Sequence, residues 1–334
     1  MPCLMLVLPA WKGASSVWCR LAWLALLAAL LTTGRWAAAL TLDEQLLQWQ
    51  HLQERTSYHG SFVYERTGVF STHEVWRQAD GDGHYRERFL RLNGSRLEAL
   101  RSDGYLDCMA RQFPDSPLAS VPEPVLLLRK FDLQRMAAGY HTEHVGRGRV
   151  AGRDAAILLF TPRDVHRYPL EIHFDLEAGV VLKSLLLNEQ GELLERFQFV
   201  NLAVGEQPAE LLQVADCEPV RTEERADGEA GPQWRAGWVP EGFVAVSQGP
   251  VQQQGISSQL FFDGLAHFSI FVTAVDAGLM DMEHRQLGPT VVISRPVEEG
   301  SQRYMITVLG EVPAATAQRI ALSVSLSSNG AADD

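Results

Sequence analysis

Lysine is nearly missing from this chain. Lys12, Lys130 and Lys183 are the only three in 334 residues, and every other basic side chain is Arg. That bias reads as composition, with no function attached. Lys and Arg together number 29 against 41 Asp and Glu, a formal charge of −12. A protein that lives on nucleic-acid phosphates carries a basic surface, so nucleic acid is excluded as a partner. Long apolar runs are also lacking: the most apolar stretch, Leu21 to Leu31, is about half of the roughly 20 residues a bilayer span requires. Catalytic signatures are missing as well. No G-x-S-x-G elbow, H-E-x-x-H, Walker loop or C-x-x-C occurs, so no enzyme is expected and neither a metal nor a cofactor is implied.

What remains is an ordinary globular composition, 46% hydrophobic and 21% charged with 27 Gly and 16 Pro. The length exceeds one comfortable core, and two domains are expected. Residues 1–39 contain no acid and three bases, Lys12, Arg20 and Arg35, around the short apolar stretch, followed by Ala37-Ala38-Ala39. Basic flank, short apolar segment and small residues at a cleavage point are the parts of a secretory signal peptide, which predicts export. Cys108 and Cys217 lie beyond it. In an oxidising compartment they can pair, or they stand as two separate thiols, since spacing alone does not show proximity.

From residue 40 the pattern begins with a helix: Thr41 and Glu44 have capping-box spacing, and Leu42, Leu46, Trp49 and Leu52 recur at helical intervals. The period then falls to two, with Tyr58, Gly60, Phe62 and Tyr64 on one strand face. Further strands follow near 72–78, 84–92, 96–101 and 105–110, broken by Asp80-Gly81-Asp82-Gly83, Asn93-Gly94 and Asp103-Gly104. A helix is predicted from Val125 to Tyr140, then strands near 155–161, 170–175, 180–187 and 193–204. With no βαβ alternation, the fold class is α+β: one large, strongly curved antiparallel sheet with helices over 40–212. An acid-rich stretch at 213–232, with Glu223, Glu224 and Asp227, reads as a solvated linker. A smaller α+β domain spans 233–326, with strands near 243–248, 258–262, 267–275, 290–295 and 304–310 and a closing helix after Pro313. A polar tail, 327–334, ends the chain.

Several local patterns have bland readings. Gly146-Arg147-Gly148 opens no helix and reads as a turn. The Asp-Gly pairs at 80–83 are a hairpin turn lacking a later Glu ligand. His141 and His144, three apart on a strand, point to opposite faces and make poor metal geometry. A curved antiparallel sheet with helices against its concave side can instead enclose an apolar hollow, and Tyr58, Phe62 and Tyr64 are its candidate lining. The same rings could equally be ordinary core.

Three blocks in the last hundred residues carry a resemblance: Trp234-Arg-Ala-Gly-Trp238-Val-Pro-Glu-Gly-Phe243, Phe262-Asp263-Gly-Leu-Ala-His-Phe-Ser-Ile-Phe-Val272, and Thr307-Val-Leu-Gly-Glu-Val-Pro-Ala-Ala-Thr-Ala317. Together with Tyr58-His-Gly-Ser-Phe-Val-Tyr64 and the strand ending at Cys108, they resemble the MucB/RseB group of periplasmic sigma-E regulators. The chain departs from that pattern at Leu287-Gly288-Pro289-Thr290 and at Phe262. The resemblance implies a first domain similar to the lipoprotein carrier LolA, a half-open barrel with an apolar concavity. It implies a second domain that grips the periplasmic segment of a transmembrane anti-sigma factor of the RseA/MucA type and shields it from proteolysis. Lipid, lipopolysaccharide or mislocalised lipoprotein would release it. The alternative is a lipid or lipoprotein carrier chaperone using the first domain alone. Monomer and homodimer both stay open. Candidate partner contacts are Trp234, Trp238, Phe243, Phe262 and Asp263; Trp238 and Phe243 could instead be core of the small domain.

Overall fold

The structure, a computed structural model, describes residues 41–66, 68–111, 132–219, 233–246, 251–253, 255–275 and 283–326. The predicted signal peptide, most of the acid-rich stretch with Glu223, Glu224 and Asp227, and the polar tail lie outside them.

Helix α1 (Leu42–Arg55) buries Leu46 and Trp49, one side of its 3.6-residue repeat. Trp49 stacks on Phe174 with ring centroids 5.3 Å apart. The chain then lays down β1 (Tyr58–Arg66), β2 (Val69–Ala79), β3 (Tyr85–Arg91), β4 (Leu97–Ser102) and β5 (Tyr105–Arg111). Helix α2 (Leu133–Gly139) follows, capped by Asp132, whose carboxylate accepts the Arg135 N–H. The helix predicted over 125–140 is seen only from Leu133, behind its Asp132 cap, and stops at Gly139 because Tyr140 already opens β6 (Tyr140–Val150); residues 125–131 of that prediction lie outside the described residues. Strands β7 (Arg153–Pro162), β8 (Leu170–Asp175), β9 (Val181–Leu187) and β10 (Leu193–Val204) complete the meander, and β11 (Glu218–Pro219) closes one edge.

These strands form one antiparallel sheet in the order β11-β5-β4-β3-β2-β1-β10-β9-β8-β7-β6. Flat strands would hold β6 about 19 Å from β10, four spacings of roughly 4.8 Å. They approach within 8 Å between Cα atoms, so the sheet curls strongly. The order keeps β6 and β11 as edges, so the barrel stays open. Strand β1 alternates cleanly, with Tyr58, Gly60, Phe62, Tyr64 and Arg66 buried and their neighbours half-buried. On the other face, residues 205–217 cross β2 and β3 as a strap. Arg88 donates to the Leu211 carbonyl, Gln207 N–H donates to the Gln78 side chain, and Leu212 is buried. Its end is fixed where Cys217 bonds Cys108, whose strand β5 also pairs with β11.

The second module begins at β12 (Trp234–Ala236), then β13 (Val244–Ala245), β14 (Val251–Gln253), β15 (Ile256–Phe262), β16 (His267–Ala274), β17 (Glu283–Leu287), β18 (Thr290–Glu299), β19 (Gln302–Gly310), helix α3 (Ala314–Ser323) and β20 (Val324–Leu326). Seven strands make a second antiparallel sheet along β13-β15-β16-β19-β18-β17, with β14 beside β15, while β12 pairs with β20. Helix α3 buries Thr316, Ala317, Ile320 and Ala321, and its last carbonyls accept from Arg295. Each module has its own apolar core. One is built around Phe62, Phe197, Phe199, Leu158 and Ile172, the other around Phe268, Ile270, Val308 and Ile320.

Candidate functional site

The three hollow candidates are neighbours on the inner face of β1, and all are packed. Tyr58, Phe62 and Tyr64 are 0%, 1% and 6% exposed. Phe62 sits among Phe89, Phe197 and Phe199, and the His73 ring stacks on it at 5.0 Å. The floor of the curved sheet is thus an aromatic cluster, bounded by buried charge at both ends. At one end Glu87, fully buried, accepts from Arg77 (2.7 Å) and from Arg101 (2.8 and 2.5 Å). Arg77 also donates to the Gln53 carbonyl of α1 and lies 3.4 Å from the centroid of the Tyr85 ring. At the other end Glu195 accepts from the Tyr64 hydroxyl at 2.7 Å and from Arg66 at 2.8 and 3.1 Å. Burial and the nearby Glu311 push the Glu195 carboxyl up against the pull of Arg66. His73 is held down at about 4, first by burial and then by the Arg91 guanidinium, so it is neutral at pH 7. A separate open groove of about 610 Å³ runs along α1, lined by Glu44, Leu47, Gln48, His51, Leu52 and Arg55.

The five partner candidates separate. Trp234 is 5% exposed and its indole N–H donates to Ser257, inside the second core. Phe243, also 5% exposed, packs on Phe268. Asp263 is fully buried. Trp234 and Phe243 keep little exposed area and Asp263 none, each being engaged within the protein. Trp238 and Phe262 are half-buried and keep exposed area. Trp238 lies between Arg319, 3.8 Å from its ring centroid, and the His166 ring at 5.1 Å. Phe262 is on the sheet face opposite Phe261, which stacks on Phe268.

Asp263 leads to a constellation that the sequence reading missed. It opens the β15–β16 turn, where one carboxylate oxygen accepts the Leu265 and Ala266 N–H groups. The other accepts from Arg167 Nε at 2.5 Å. Arg167 belongs to the β7–β8 connection of the first module and is 1% exposed. Its remaining nitrogens bond Asp164 and the Glu241 carbonyl, and its plane lies over Phe243 at 4.6 Å. Burial alone would lower this guanidinium, but Asp263 and Asp164 carry it above its usual value. The neighbouring His166 shares a 2.9 Å hydrogen bond with Thr316, and the Tyr168 hydroxyl donates to the Val312 carbonyl. The only sequence sign was a connection longer than a tight hairpin, rich in Asp, His, Arg and Tyr.

Further contacts join the modules. Gly264, at φ +103°, accepts the Asp132 N–H at its carbonyl, and a Cβ there would stand 2.5 Å from the Asp132 carbonyl oxygen. Only glycine fits that approach. Gly288, at φ +58° in the Leu287–Thr290 turn where the sequence departs from the pattern it otherwise resembles, sits against Arg66 and Leu194. Arg66 also lies 3.7 Å from Glu311. Among the described residues, no cluster of His, Cys, Asp and Glu has metal-binding geometry.

Against this geometry the relatives can be set. The pattern of the MucB/RseB N-terminal domain matches residues 41–221, and that of the MucB/RseB C-terminal domain matches 228–325. The sigma factor AlgU regulatory protein MucB of Pseudomonas aeruginosa is 44% identical over 276 residues, which is 81% of this chain and 86% of that protein. The sigma-E factor regulatory protein RseB of Escherichia coli is 27% identical over 304 residues, 86% of this chain and 92% of its own length. Among solved structures, MucB in complex with MucA(peri) superposes with a TM-score of 0.71 at 37% identity, covering 86% of this chain and all (100%) of that one. The Pseudomonas aeruginosa MucA/MucB complex gives 0.70 at 40% identity, over 85% of this chain and 98% of its counterpart. The open curved sheet with its smaller α+β companion, and the pattern of both modules, establish that this chain belongs to the MucB/RseB family.

Proposed function

We propose that this chain is an exported, periplasmic negative regulator of an extracytoplasmic sigma factor, acting without catalysis. It binds the periplasmic part of a MucA-type anti-sigma factor, shields it from proteolysis, and lets go when lipid occupies the first module. The observation that carries this reading is the 44% identity to a MucB, over most of both chains, together with the likeness to MucB captured on MucA(peri). A carrier would have no need of the second module, and that module here is locked onto the first through a buried ion pair.

In this reading Trp238 and Phe262, the candidates that keep exposed area, contact the client. Tyr58, Phe62 and Tyr64 are the floor that an acyl chain meets. Because those rings are already packed, the chain must displace protein groups to reach them. A twelve-carbon chain brings on the order of 9 kcal/mol, about 0.8 per buried CH₂, to oppose that cost. Lipid and the packed state therefore compete, and by linkage a ligand that favours release weakens client binding by the factor the client weakens it.

The test is calorimetric titration of the mature protein with the periplasmic segment of a MucA-type anti-sigma factor, repeated with added lipopolysaccharide. Binding that protects the segment from a periplasmic protease and weakens with lipopolysaccharide is expected. No binding would end the regulatory reading, and binding indifferent to lipopolysaccharide would end its sensing half.

A further inference from the structure

The two modules have separate apolar cores; Leu265 of the second packs against the first, and directed polar bonds orient one on the other. Most of those bonds come from one place, residues 163–169 between β7 and β8. Arg167 reaches Asp263 and the Glu241 carbonyl, His166 reaches Thr316 and Trp238, and Tyr168 reaches the Val312 carbonyl. Among the described residues, one short segment of the first module therefore touches five separate stretches of the second: 238–243, 263, 286, 312 and 316. Planar guanidinium forks fix direction as well as distance, which an ammonium does not. The fork also ends against the residues with client-facing area. Asp263 follows Phe262 directly, and Trp238 is held between His166 and Arg319.

We infer that the 163–169 connection is a finger of the first module that sets the pose of the second, with Arg167 as its positioning residue, and that this pose presents Trp238 and Phe262 to the client. This rests on the regulatory reading above and adds to it the element through which the first module controls the grip. Strand β8 follows the finger directly, and its inner residues Leu170, Ile172 and Phe174 are part of the first core. A rearrangement of that core is thereby one strand away from the Asp263 turn. When the fork is whole, both client-facing side chains are held; when it opens, they lose their common frame together.

The experiment uses the full mature protein with Arg167→Lys, Arg167→Ala and Asp263→Asn. Hydrogen exchange reads the pose, at 238–243 and 263–266 against the core strands β8, β16 and β19. Calorimetry with the MucA-type periplasmic segment reads the grip. Exchange should rise tenfold or more at the two interface stretches, with the core strands unchanged. Client affinity should fall at least tenfold for Ala, with part of it recovered by Lys. A loss of fold would show as exchange throughout the cores; in that event His166→Ala, at the half-exposed rim, carries the test, with a three- to tenfold loss expected. An opened interface with client affinity within twofold of wild type overturns the inference, as does an interface that stays closed in every folded variant. If the wild-type protein fails to bind the segment, the regulatory reading falls, and the grip half of this inference falls with it. The exchange data then still decide whether Arg167 sets the pose.

Discussion

Removing Glu87 should expose how the concave face tolerates its buried charge. Both carboxylate oxygens are engaged, one by Arg77 and one by Arg101, and the three residues are 2%, 0% and 3% exposed. Truncation in Glu87→Ala removes the one carboxylate that both guanidiniums share. Breaking one partner out of a buried pair costs about 3–5 kcal/mol, and a carboxylate serving two guanidiniums places this case at the upper end, about 5 kcal/mol. Glu87→Gln keeps the volume and one acceptor but loses the charge, so about 2–3 kcal/mol is expected. Urea unfolding is the assay. With a slope of about 3 kcal/mol/M for a chain of this size, the midpoint of the first module should drop by roughly 1.7 M in the Ala variant. The decisive control replaces the whole triad with apolar residues, Arg77→Met, Glu87→Leu and Arg101→Met together. Charge removed as a set is nearly neutral, so this variant should be more stable than Glu87→Ala. A triple variant as weak as the single one would show that lost volume, and no stranded charge, is what matters.

Three other outcomes are expected. His73 titrates near 4 in the folded protein against about 6.5 unfolded, so its neutral form favours folding above pH 6.5. That contribution, about 3 kcal/mol, is lost as pH falls from 6.5 towards 4, and His73→Gln should flatten the stability profile over this window. Phe62→Ala should cost about 3–5 kcal/mol in chemical unfolding, because four aromatic rings lose a common neighbour. Cys108→Ser should lower stability by about 4–5 kcal/mol on the chain-entropy model for a crosslink 109 residues long; a loss below 1 kcal/mol would show that the strap holds without it.

The strands were legible because their signal is local. β1 alternates residue by residue, the Asp-Gly and Asn-Gly pairs mark turns, and Pro313 announces α3. Short ladders such as β12 with β20, or β11 against β5, carry too few residues for periodicity and are formed by tertiary pairing. Trp238 and Phe262 could be named from residue type and spacing, but their exposure depends on which neighbour covers which face. Asp263 was noticed as half of a turn motif. Its partner Arg167 lies 96 residues away, and no single-chain pattern links the two.

A connection that reaches from one module into the other has a consequence for anyone recombining family members. A hybrid that joins this second module to a foreign first module at the acid-rich stretch would carry Asp263 and the Glu241 carbonyl, yet leave Arg167 behind. Such a graft keeps one side of the Arg167–Asp263 pair and loses the other, unless residues 163–169 travel with it. The joint between the modules is thus written partly in seven residues that lie well inside the larger one.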